Sequence, residues 1–151
     1  MRLIALALML ACPGASHLCA QTASDFMGTY DLVRFESPDE SGEWVTSTDP
    51  FGPDPLGIIM YDGVGSMSVH VVRQDRDAED AIPGMVNGYM AYYGRYEVDA
   101  ARGIVTHRRE GHIDPNQADQ EAERGFEFDG DLLILTVEPA RQLRVIWRKR
   151  H

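Results

Sequence analysis

Residues 57–73 read GIIMYDGVGSMSVHVVR, and the fold is decided by how this stretch is read. Asp62-Gly63 supplies a tight turn, and Gly65 adds a second residue free to take positive φ. After the turn, Met67, Val69 and Val71 alternate with Ser66, Ser68 and His70. That period of two marks a strand with two unlike faces. The stretch is therefore expected to form the central hairpin of an antiparallel sheet.

The same design repeats on either side of it. Upstream, Tyr30, Leu32, Val33 and Phe35 predict a strand whose alternation slips once at Leu32-Val33, as at a bulge. Residues 38–42 form a polar turn, and residues 43–48 are expected to be a short strand carrying Trp44. The segment DPFGPDP (49–55) has three prolines in seven residues. It cannot sustain a hydrogen-bond ladder and reads as a loop at the rim. Downstream, residues 74–88 begin with QDRDAED and contain Pro83-Gly84, making the longest connection in the chain. Long connections of this kind are either solvated loops or binding loops.

Residues 89–98, YMAYYGRYEV, form an aromatic strand. Tyr92 and Tyr96 share one face with Met90 and Val98, and Tyr93 shares the other with Arg95. Further strands are expected at 104–113, 124–128, 132–137 and 143–149, the second and third of these joined by an Asp129-Gly130-Asp131 turn. Eight or nine short strands joined by hairpin signals, with no convincing long helix, point to an all-β up-and-down barrel or a sandwich.

The chain has 151 residues, enough for one domain with a real core, and a net charge of -10. That charge argues against nucleic acid and against an anionic membrane surface as partners. Residues 3–11 (LIALALMLA) form an apolar run after Met1-Arg2, of signal-peptide length and too short to span a bilayer. Leu18-Cys19-Ala20 offers a cleavage site before Gln21. The expected organisation is a cleaved leader over 1–20 and one domain over 21–151, exported and periplasmic. An alternative takes Met9-Leu10-Ala11-Cys12 as a lipoprotein box with Cys12 lipidated. Both cysteines, Cys12 and Cys19, lie before the expected cut, so the mature domain would hold neither a disulfide nor a thiolate site.

Five segments carry a resemblance: GTYDLVRFE, PLGIIMYDGVGSMSVHVVR, GYMAYYGRYEVD, GIVTHRREGHIDPN and FEFDGDLLILT. In this order they are similar to the bacterial and fungal lipocalin-like domain family, with Trp147 fitting the closing strand. Gly28-Thr29-Tyr30 resembles the Gly-x-Trp that opens the first lipocalin strand, with Tyr30 in place of Trp. The resemblance implies a single antiparallel lipocalin-like β-barrel with an internal cavity. It also implies that a basic residue of the last strand, Arg148 or Arg144, lies over Tyr30.

Small barrels either fill their interior or keep room for one small ligand. Met60, Met67, Tyr92, Tyr96 and Trp147 are candidates to wall an apolar cavity, with His70 and His107 orienting a small, largely apolar ligand. Arg73, Arg95, His112 and Arg124 are further polar candidates. His107 shares a face with Val105 and Ile113, so it reads either as a satisfied core histidine or as a pocket histidine. On a regular strand it faces away from Glu110 and His112, so the three cannot converge on one metal. A second reading is a barrel enzyme of isomerase or cyclase type, with His107 or Glu110 as acid-base group. A third is a filled-barrel interaction module. The sequence carries no phosphate-cradling loop, nucleophile elbow or dense metal spacing, so no cofactor or metal is expected.

Overall fold

The computed structural model of the protein describes residues 22–76 and 88–151. The expected leader, both cysteines and most of the 74–88 connection lie outside them. One short helix, α1 (Ala23–Phe26), precedes nine strands: β1 (Gly28–Pro38), β2 (Trp44–Ser47), β3 (Leu56–Tyr61), β4 (Ser66–Val72), β5 (Tyr89–Asp99), β6 (Ile104–His112), β7 (Glu121–Asp129), β8 (Leu132–Val137) and β9 (Arg144–Lys149). Strands β3 to β9 pair antiparallel in chain order, and β9 closes on β1. The result is a closed eight-stranded antiparallel barrel with β2 as an extra strand. β1 gives one edge to β9, and its other edge is divided between β3 at 28–31 and β2 at 35–38.

The central hairpin forms as its pattern requires. Met67, Val69 and Val71 point inward and are buried, while Ser66, Ser68 and His70 lie on the outer face. The turn is held by the Asp62 carboxylate, which accepts the N–H groups of Val64 (2.9 Å) and Ser66 (2.7 Å). Gly65, not Gly63, takes the positive φ, at 87°. The expected bulge in β1 is present, with the register on β9 shifting between Leu32 and Arg34.

One end of the barrel is plugged. α1 drives Phe26 into the interior, where it is fully buried. Its ring meets Tyr61, Phe126 and Phe128 edge-on at centroid distances of 5.2, 5.0 and 5.1 Å. The helix is too short to be stable alone, so the barrel holds it. Tyr30 Oη donates to the Phe26 carbonyl (3.0 Å), and Tyr96 Oη donates to the Asp62 carbonyl (2.7 Å) in the turn beside it.

The expected closure over Tyr30 needs a correction. Lys149 covers the ring, with Nζ 5.5 Å from the centroid, and neither Arg148 nor Arg144 does so. Register is the reason, because Tyr30 pairs with Lys149 across β1 and β9. Arg148, one residue away, therefore faces outward and pairs with Asp131 at 3.2 Å. Arg144 lies 4.6 Å over the ring of Trp44 on β2 and forms a short ion pair with the buried Glu36.

Candidate ligand cavity

The other half of the barrel is hollow. Alternating inward positions of β3, β4, β8 and β9 supply Ile59, Val69, Val71, Leu135 and Val145, whose side chains wall a cavity of about 280 Å³. The proline-rich segment 49–55 bends over this end and seats Phe51 on Phe35, with the rings stacked at 5.4 Å. Because no described residue enters this half as Phe26 enters the other, its inward side chains face space.

At the inner end of the cavity stands His107, only 1% exposed. Its Nε2 lies 2.8 Å from Tyr61 Oη and its Nδ1 lies 2.9 Å from Tyr92 Oη. Burial, together with the Arg124 and Arg109 charges, pushes its pKa from 6.5 down to about 3. Burial likewise raises the pKa of both phenols. The group is thus a neutral imidazole between two neutral phenols. Tyr92 and His107 form part of the cavity wall, whereas Tyr61 is packed into the plugged side.

Two arginines join this wall, Arg109 and Arg124, and Arg109 stands just before a bulge. The register of β5 on β6 shifts between Tyr93 and Gly94, leaving Glu110 as the extra residue on β6. Glycines permit the close approach. A Cβ at Gly94 would collide with the Arg108 carbonyl oxygen, and one at Gly111 would collide with the Tyr93 ring. The bulge resets the alternation, so His107, Arg109 and His112 all line the cavity. Arg109 donates to Gln117 Oε1 (3.1 Å) and lies 5.8 Å over the Tyr92 ring. Arg124, on β7 opposite the buried Val105, donates to the Glu123 carbonyl (2.9 Å). The ion pairs among the described residues do not include either arginine. Trp147, 2% exposed, completes the wall, and its indole N–H has no hydrogen-bond partner among the described residues.

Of the candidates read from sequence, Tyr92, His107 and Trp147 meet at the cavity, with Arg124 and His112 beside them. Met67 and Tyr96 face the interior but belong to the core around the plug, not to the cavity wall. Several expectations are corrected. Met60 is 38% exposed on the outer face, because its neighbours Ile59 and Tyr61 take the inward positions. His70 lies outside for the same reason, between Val69 and Val71, and its Nδ1 is 2.8 Å from Tyr89 Oη. Glu110, pushed outward at the bulge, faces Arg95 at 3.5 Å and cannot act on anything inside the barrel. Arg73 pairs with Asp75 at the surface, at 2.8 Å. Ile113, expected inside with His107, is 40% exposed beyond the bulge.

Sequence reading missed Arg109, Phe35 and Phe51 as wall residues. Arg109 had a usable signal, since it stands two residues after His107 on one strand. Phe51 had none, because only the folded path of its loop brings it over the cavity.

A profile of the lipocalin-like domain matches residues 27–150. Among solved structures, the chain is similar to a lipocalin-like protein from Bacteroides uniformis at 17% sequence identity. The match covers 83% of this chain and 99% of that one, with a TM-score of 0.48. No curated protein matches.

Proposed function

The chain belongs to the lipocalin-like domain family, and from that premise we propose that it binds a small, largely apolar molecule in the hollow half of its barrel. One observation carries the reading: half of the interior is packed solid around Phe26, while the other half keeps about 280 Å³ free behind a mostly apolar wall. Ligand pockets in proteins start at about 300 Å³, so the occupant is small. The reading includes export, on the strength of the apolar run at 3–11 and the small residue before Gln21.

A binder is favoured over an acid-base catalyst by the state of His107. Both of its ring nitrogens are engaged by tyrosines, and its conjugate acid forms only near pH 3. A general base works best with a pKa near the operating pH.

Native mass spectrometry of the protein purified from its own host, followed by denaturation and analysis of what is released, tests the proposal. A stoichiometric apolar passenger is expected, and it should be lost from a Val69→Trp protein whose cavity is filled. A passenger retained unchanged by the filled variant would place binding elsewhere and defeat the reading.

A further inference from the structure

We infer that the cavity is built for a small apolar carboxylate, whose oxygens are met by the Tyr92 hydroxyl and by the guanidinium charges of Arg109 and Arg124. This rests on the binding reading above and narrows it to a ligand class.

A neutral imidazole has one N–H, so of the two tyrosines at His107 one donates to the ring and the other accepts from it. The accepting tyrosine must send its own proton elsewhere. Tyr61 is 3% exposed, and its hydroxyl has no second partner among the described residues. Leaving that proton unpaired in the packed half of the barrel would carry the full desolvation penalty. Tyr61 therefore donates to Nε2, and Nδ1–H donates to Tyr92 Oη. The Tyr92 proton is left on the cavity side, at the end of a chain of hydrogen bonds that polarise one another.

The remaining polar groups of the wall have the same sense. His112 Nδ1 accepts the Asp114 N–H at 2.9 Å, so its ring proton sits on Nε2. Arg109, Arg124 and the Trp147 indole can only donate. Among the described wall residues there is no Asp, Glu, Asn, Gln, Ser or Thr. The molecule as a whole carries 24 acidic residues against 14 basic ones, yet the described wall of the cavity takes two arginines and no carboxylate. A partly buried charge without a counter-charge is costly. Among the described residues neither arginine has a carboxylate partner; both line one small space together with the Tyr92 hydroxyl, and a ligand that brings oxygen acceptors and a negative charge completes them.

The choice of carboxylate follows from shape and size. Two coplanar oxygens fit the fork of a guanidinium, and the aliphatic wall requires an apolar remainder. At a liquid-like share of about 30 Å³ per water-sized group, the cavity holds on the order of ten non-hydrogen atoms, the size of octanoate.

Isothermal titration calorimetry of the full chain with octanoate, octanamide and octyl sulfate tests this. Octanoate is expected to bind at least about tenfold more tightly than octanamide. Tyr92→Phe and Arg124→Met should each reduce that ratio towards one while octanamide binding stays within a few-fold. Equal affinity for octanoate and octanamide in the unaltered protein overturns the inference and leaves the apolar-binding reading standing. Tighter binding of octyl sulfate than of octanoate overturns the carboxylate assignment. Binding of none of the three overturns both the inference and the reading beneath it. The comparison in the unaltered protein decides the matter even where Arg124→Met fails to fold.

Discussion

The two halves of this barrel are made by the same strands and the same alternation, yet one is solid and the other hollow. In the plugged half, Phe26 sits among Tyr61, Phe126 and Phe128, and hydroxyls of Tyr30 and Tyr96 secure the backbone around it. In the hollow half, Phe35 and Phe51 stack at the rim and leave space beneath them. His107 stands between the two, with one nitrogen turned to each. Inward-facing apolar residues are therefore not enough to make a cavity. What separates the halves is whether an outside element is threaded in to fill the space.

The sharpest way to break this comparison is to remove one aromatic ring from each end. Phe26→Ala is expected to cost about 3–5 kcal/mol in denaturant unfolding, as for a fully buried phenylalanine. Phe51→Ala, at a half-buried rim position, should cost about 1 kcal/mol. Equal losses would mean that the plug is not what makes one end solid.

Acid titration probes the boundary between the halves. The His107 pKa is about 3 in the folded protein against 6.5 in the ordinary group, so the unfolded chain takes up the proton first as pH falls. Its contribution to stability is complete above about pH 6.5 and is lost progressively towards pH 3. His112, also lowered, chiefly by burial, acts in the same direction. The carboxylates held low, such as Asp31 by Arg150 and Asp62 by the Ser66 N–H, begin to matter only nearer pH 4. Between pH 6.5 and 4.5 the unaltered protein should therefore lose about 2 kcal/mol that a His107→Gln protein does not. Parallel pH profiles for the two would show that His107 is not buried in its neutral form.

Overfilling gives a smaller contrast. Val105→Phe, at a fully buried position in the solid half, should destabilise by about 1–3 kcal/mol. Val71→Phe, on the cavity wall, should stay within about 1 kcal/mol because the new ring has space to enter. Thermal unfolding of the pair ranks them directly, and the reverse order would contradict the cavity. The smallest effect expected is from Lys149→Met over Tyr30, about 0.5–1 kcal/mol for an exposed cation–π contact.

Much of the barrel was legible because period-two alternation is local. Met67, Val69 and Val71 against Ser66, Ser68 and His70 gives a strand, its turn and its inward face without reference to any other part of the chain. The same rule places Tyr92 and Tyr96 inside, and the break at Leu32-Val33 correctly marks a bulge. It also shows His70 and Met60 to be outside. As cavity residues they conflict with the pattern, since adjacent strand positions cannot share a face. The site was less legible because the place of His112 in it depends on the second bulge. Before Glu110 the parity is that of His107; after it, His112 comes inside and Ile113 turns out. Gly94 and Gly111 permit that shift, but a glycine pair does not state its register.

By itself, then, the amino-acid sequence determined the all-β class, the positions of most strands and the direction of most side chains. Each of these follows from neighbours within a few residues, where pleat geometry leaves two choices and hydrophobicity selects one. Only the tertiary structure decided that Phe26 fills one end, that Phe51 roofs the other, that Lys149 covers Tyr30, and that Arg109 and Arg124 meet a tyrosine-bound His107 at a cavity. Those facts depend on register between strands far apart in the chain and on where a helix and a loop come to rest. They are set by the space left when the barrel closes, a quantity no single segment carries.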